Sequence, residues 1–129
     1  MSSKERDKSV SIIILVRHGH TPTTGKILPG RAKGLHLSEL GKEQASKVAT
    51  NISMLDNVTA VYASPMERTL ETAKPIASAF GLKVQRNRGL IEADFGKWTG
   101  RKLSDLRKLS DWEIVQKNPS LFRFPDGES

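Results

Sequence analysis

An arginine, a histidine and a glycine stand in a row in Leu15-Val16-Arg17-His18-Gly19-His20-Thr21, directly after an unbroken apolar run over residues 12–16. The chemistry available to that triplet is attack on an electrophile held by positive charge. An imidazole keeps a lone pair on one ring nitrogen in its neutral form and is therefore a competent nucleophile towards phosphorus. The planar fork of Arg17 matches the oxygens of a phosphate. Gly19, with no Cβ, lets the backbone turn and lie close to a bound anion. Two further residues fit the same chemistry. Arg68 opens a helix that follows a second strand, and a cation placed there opposes the helix dipole unless an anion shares the position. Glu92 follows a third strand and could protonate a leaving oxygen or activate water. Paired arginines neutralise the equatorial oxygens of a transferring phosphoryl group, so neither a metal nor a cofactor is expected.

These residues need a scaffold that brings them to one edge. The 12–16 run reads as a strand buried on both faces, as in a parallel sheet packed between helices, where ligands bind at the carboxyl ends of strands. Residues 21–34, with two prolines and three glycines, form a turn-rich loop; Thr24 and Gly30 lie within it. Ser38 caps a helix whose Ala45, Val48, Ala49, Ile52 and Leu55 share the face expected to lie on the sheet. A second strand runs over 58–63. Ser64-Pro65-Met66-Glu67 has the form of a capping box and opens a helix ending near Gly81, with Pro75 kinking it. Residues 83–86 make a third strand, and Leu103, Leu106 and Leu109 mark a weakly amphipathic helix. Alternating strands and helices predict an α/β class fold, a three-layer α/β/α sandwich with a mostly parallel sheet.

At 129 residues the chain suits one domain over 12–129 after a polar tail over 1–11. Twenty-one Lys and Arg against 14 Asp and Glu give a formal net charge of +7, which favours anionic partners. With no cysteine, disulfides and thiolate metal sites are excluded. The 12–16 run is too short for a membrane span or signal core, so a cytoplasmic protein is expected. The basic residues Lys97, Arg101, Lys102, Arg107 and Lys108 interleave with Trp98 and Trp112, a pattern that could suit single-stranded nucleic acid. Aromatic residues at that spacing more often anchor a core, and the basic stretch reads as a solvated face. His20 and His36 read as loop residues with local hydrogen bonds. Glu92 has a plainer alternative as an ion-pair partner of Arg86 or Arg88.

Five separated motifs together resemble the histidine phosphatase superfamily, the group that includes phosphoglycerate mutases. They are Leu15-Val16-Arg17-His18-Gly19; Leu37-Ser38-Glu39-Leu40-Gly41 with Gln44-Ala45; Ser64-Pro65-Met66-Glu67-Arg68 with Thr72-Ala73; Leu90-Ile91-Glu92 with Phe95-Gly96; and Trp98-Thr99-Gly100. The resemblance implies a phosphoglycerate mutase-like fold and phosphoryl transfer from a small phosphorylated substrate. His18 would be transiently phosphorylated, with Arg17 and Arg68 binding the phosphate and Glu92 donating the proton. Thr24 and Gly30 match loop positions that contact substrate. Thr21-Pro22-Thr23-Thr24 departs from the mutase pattern and favours a phosphatase. The family also has a late second histidine, yet the histidines here are His18, His20 and His36. Phe124-Pro125-Asp126-Gly127-Glu128-Ser129 resembles the family's turn into a further helix, so a domain incomplete at its carboxyl end is expected. A phosphate-binding module without turnover is the alternative this raises. A sheet short of a strand would leave backbone groups unpaired, and a homo-oligomer is the expected consequence.

Overall fold

The computed structural model describes residues 10–129; most of the polar tail lies outside them. Ser38 caps α1 (Glu39–Ile52), its side chain accepting from the Gly41 amide. Two short strands, β1 (Val61–Ala63) and β2 (Val84–Arg86), flank α2 (Glu67–Ala79). They pair in parallel with Val61 opposite Val84, as a strand–helix–strand unit requires. The strand expected over 58–63 is shortened to the three residues that face β2, because a ladder extends only as far as its partner. Gly81, at a φ of 64°, turns the chain out of α2, and the Leu82 amide donates back to the Ala77 carbonyl.

Four expectations are corrected. The 12–16 run forms no strand: it carries no ladder hydrogen bond, and Ile12 and Leu15 are 88% and 90% exposed. An apolar run becomes a buried strand only where neighbours flank it, and among the described residues β1 pairs with β2 alone. The face of α1 that carries Gly41, Ala45 and Ala49 packs on α2 instead of the sheet. Ala73 and Ala77 are buried on α2, and small residues on both helices permit a close approach. Ser64 does not cap α2. That helix begins after Met66 without a side-chain cap, and the Ser64 hydroxyl instead hydrogen-bonds Thr69 Oγ1 at 2.8 Å. Finally, the helix read from three leucines is two: α3 (Leu103–Leu106) and α4 (Ser110–Lys117), with an extended Leu109 between them. At about 100° per residue, a continuous helix would turn Leu109 some ~120° away from Leu103. The break returns Leu109 to the core.

That core is built around Trp98, Leu106 and Phe122, with Leu28, Leu103, Leu109, Trp112 and Phe124 packed against it. Trp98 is 3% exposed and stacks on Trp112 with ring centroids 6.2 Å apart. Both tryptophans therefore serve packing, as the plainer reading held. Leu28 belongs to the turn-rich loop, which is ordered from this side. The Leu28 amide donates to Arg101 O, and Gly100 N to Leu28 O, at 3.0 and 2.8 Å. Ile27 forms an antiparallel bridge with Lys102. The loop is thus pinned to the segment that carries the aromatic core.

Candidate functional site

The His18 segment is positioned by α1 and α2. Gly19 donates to Thr72 Oγ1 at 3.0 Å, and that hydroxyl donates to the Arg68 carbonyl at 2.7 Å. A single threonine thereby ties the histidine motif to the first turns of α2. On the other side, the His20 amide donates to Gln44 Oε1 at 2.8 Å, while Ser38 donates its amide and its hydroxyl to the His20 carbonyl. Gly19 and Gly41 touch backbone to backbone. A Cβ on Gly19 would lie 2.6 Å from the Gly41 carbonyl oxygen, and one on Gly41 would run into that of His20. Both glycines are required by this approach.

Tautomer and orientation of His18 follow from one contact. Its Nδ1 lies 2.8 Å from the Gly19 carbonyl oxygen. A carbonyl only accepts, so Nδ1 carries the proton and Nε2 keeps the lone pair. The ring is half-buried.

Arg68 is 1% exposed. Its Nη2 donates to the Gly30 carbonyl at 2.8 Å, whereas Nε and Nη1 are buried without a hydrogen-bond partner. A buried guanidinium with two orphaned nitrogens carries a desolvation cost that, among the described residues, only the Gly30 carbonyl offsets in part. Gly30 sits at a φ of 52°, and a Cβ there would come within 3.0 Å of the Phe95 ring and 3.1 Å of Thr99 Oγ1. The loop can therefore present the Gly30 carbonyl to Arg68 only with glycine at this position.

The remaining residues singled out from the sequence are placed as follows. The side chain of Arg17 is exposed, in contrast to the enclosed Arg68. Thr24 Oγ1 accepts from the Thr21 amide at 2.9 Å and lies 3.0 Å from Thr21 Oγ1, holding the turn after the histidine. Glu92 is half-buried, and its Oε1 accepts from the Ala93 amide at 2.8 Å. Neither Arg86 nor Arg88 is within ion-pair distance of it among the described residues. Its backbone is instead gripped by Arg31, whose Nε donates to Glu92 O at 2.7 Å and whose Nη2 lies 3.3 Å from Glu128. His20 hydrogen-bonds Ser38, and His36 reaches Glu71 of α2, a contact 35 residues away in sequence. Sequence reasoning missed Thr72, Arg31 and Glu71 as site-building residues. Thr72 carried a usable signal, since at i+4 from Arg68 it shares that residue's helix face.

A buried cation with two unpartnered nitrogens, on a helix whose Thr72 ties it to the segment of an oriented imidazole, carries the donor chemistry that suits a tetrahedral oxyanion. Comparison with known proteins agrees. Residues 13–129 match the model of the histidine phosphatase superfamily, branch 1. The chain belongs to that family. It is 34% identical over 122 residues to phosphoserine phosphatase 1 of Hydrogenobacter thermophilus, covering 91% of this chain and 56% of that protein. With the 2,3-bisphosphoglycerate-dependent phosphoglycerate mutase of Thermoplasma acidophilum it shares 35% identity over 97 residues, 74% of this chain and 48% of the relative. Among solved structures, a putative α-ribazole-5′-P phosphatase from Escherichia coli superposes with a TM-score of 0.74 at 27% identity, over 88% of this chain and 57% of that one. The phosphoserine phosphatase of Entamoeba histolytica, solved with 3-phosphoglyceric acid, gives 0.69 at 29%, over 83% and 52%. The fold is accordingly the phosphoglycerate mutase-like α/β fold. The chain spans about half the length of these relatives. No helix among the described residues is long and apolar enough to cross a membrane.

Proposed function

We propose that the chain carries a phosphoryl-transfer site acting on a small phosphomonoester through a phosphohistidine at position 18, in the manner of a phosphatase. The observation that carries this reading is Arg68, buried with Nε and Nη1 unpartnered. A phosphate dianion is the ligand that would satisfy both nitrogens at once. Nε2 of His18 attacks phosphorus, and the bond from phosphorus to the substrate oxygen breaks. Glu92, in its protonated form, gives its proton to the departing oxygen. In the second half, the Glu92 carboxylate takes a proton from water, whose oxygen attacks phosphorus and releases Nε2. Arg68, with Arg17 from the exposed side, neutralises the phosphoryl oxygens. Thr24 and Gly30 shape the loop over the substrate. Phosphatase action over mutase action rests on the threonine-rich 21–24 segment, and a cytoplasmic setting on the cysteine-free composition.

Incubation with phosphoserine or 3-phosphoglycerate labelled in the phosphoryl group distinguishes turnover from binding alone. The expected result is a covalent label that is lost in acid and retained in base, followed by release of orthophosphate. Stoichiometric substrate binding without either would mark a phosphate-binding module instead.

The exposed 12–16 run and the single-sided pairing of β1 also support self-association of this chain through strand pairing. Sedimentation across micromolar concentrations should show a dimer, and a monomer throughout would contradict it.

A further inference from the structure

The loop over residues 30–37 is fastened along α2 by three side chains of that helix. Arg68 Nη2 holds the Gly30 carbonyl. One turn of chain later, the Gly34 amide donates to Glu67 Oε1 at 2.9 Å. Then Glu71 receives two donors, the Leu37 amide on Oε2 at 2.8 Å and His36 Nδ1 on Oε1. Glu67 and Glu71 are four residues apart and so share a helix face. Two carboxylates and one guanidinium therefore set the position of the same eight-residue segment, and only the guanidinium belongs to the phosphate site.

Resting on the reading of Arg68 as a phosphate ligand, we propose that Glu67 and Glu71 are positioning residues for that site: they latch residues 34–37 onto α2 and thereby hold the Gly30 carbonyl against Arg68, fixing the guanidinium plane whose Nε and Nη1 take the phosphate. His36 makes the latch responsive to pH. The charged groups acting on it are Glu71 and Glu67 of α2 and Lys42 of α1, the last engaged by Glu39 at 2.9 Å, while Arg68 acts on Glu67.

The direction of each titration defines the window. The hydrogen bond to Glu71 and that carboxylate's charge raise the His36 pKa, with Glu67 adding to them while burial and Lys42 oppose. Burial pushes the Glu71 carboxyl up, but the His36 hydrogen bond, the Leu37 amide and the nearby positive charges outweigh it and hold it below its ordinary value. The Gly34 amide and its own backbone amide hold Glu67 low. Carboxylates lowered in this way contribute fully above the ordinary carboxyl range, and the contribution is lost as pH falls through their folded values. A raised imidazole contributes fully below its ordinary value, and that contribution is lost as pH rises through its folded value. The latch is tightest between these limits and loosens on the alkaline side as His36 loses its proton.

Nitrogen-15 NMR on the full chain tests this through the Arg68 guanidinium and the Leu37 amide, alongside orthophosphate titration. Glu71→Gln leaves one oxygen for two donors. It should speed hydrogen exchange at both sites and weaken orthophosphate binding by about tenfold, the loss of one charge-assisted contact. Protection of the Leu37 amide in the parent should step down as His36 deprotonates, and His36→Gln should remove that step. A variant that melts at lower temperature while Arg68 exchange and orthophosphate affinity stay at parental values would overturn the latch. If the parent fails to bind orthophosphate, the phosphate reading falls, and Arg68 exchange in Glu71→Gln still decides whether the latch holds the guanidinium.

Discussion

Replacing Arg68 by Met should abolish tight phosphate binding while leaving the protein as stable as the parent or more so. The two effects separate because of how the guanidinium is buried. It makes one hydrogen bond, to the Gly30 carbonyl, and leaves two nitrogens unsatisfied. Taking an ion out of water costs several kcal/mol after relaxation, roughly more than the ~1–3 kcal/mol lost when the Gly30 carbonyl forfeits its donor. Met fills similar volume without the charge. On the ligand side, two charge-assisted hydrogen bonds of about 1.5–3 kcal/mol each disappear, so affinity for orthophosphate should fall by at least ~100-fold. Calorimetry and thermal melting of Arg68→Met read both quantities. A large drop in melting temperature with unchanged phosphate affinity would make Arg68 a structural cation.

His18→Ala should have the opposite profile. Arg68 is untouched, so orthophosphate still binds within a few-fold of the parent, yet the acid-labile label disappears and turnover falls by at least about a thousand-fold. A positioned nucleophile commands effective molarities of ~10⁵ M or more, which water at the same site does not match. Stability should change little, because the ring is half-buried and water replaces it at the Gly19 carbonyl. Label persisting in His18→Ala would move the nucleophile elsewhere.

How far the sequence could be read depends on the range of each interaction. Ser38 as a helix cap, Gly81 as a helix exit, the third strand and the paired tryptophans in the core were legible because each is a local signal: a hydroxyl three residues from an amide, a glycine after an apolar period, aromatic residues at core spacing. Burial of the 12–16 run was not, because an apolar stretch states a preference for a covered strand and says nothing of what covers it. Ser64 failed as a cap for a related reason. Thr69, one turn into the helix, competes for the same hydroxyl, and the Thr69 hydroxyl also bonds the Ser64 carbonyl at 2.8 Å. The packing of α1 on α2 turned on which small residues faced each other, a matter of the relative rotation of two helices.

For the candidate site, residue types alone suggest a chemistry, whereas the contacts that support those residues are not visible in the sequence. His18, Arg68 and Glu92 stand out in the sequence because a nucleophilic side chain after an apolar run, a cation at a helix start and a carboxylate after a strand suggest chemistry. Nothing in the spacing of Glu67 and Glu71 announces that they grip amides 33 and 34 residues earlier, since such contacts exist only after the loop has folded back. The Nδ1 contact to Gly19 is likewise invisible before the backbone is in place. That contact nevertheless decides which nitrogen is available.

The most direct test is therefore the position of the phosphorus on the ring. Trapping the phosphorylated chain at alkaline pH and recording long-range proton–nitrogen correlations of the His18 imidazole should find phosphorus on Nε2, with Nδ1 still protonated against the Gly19 carbonyl. Phosphorus on Nδ1, or on any residue other than His18, would contradict the account.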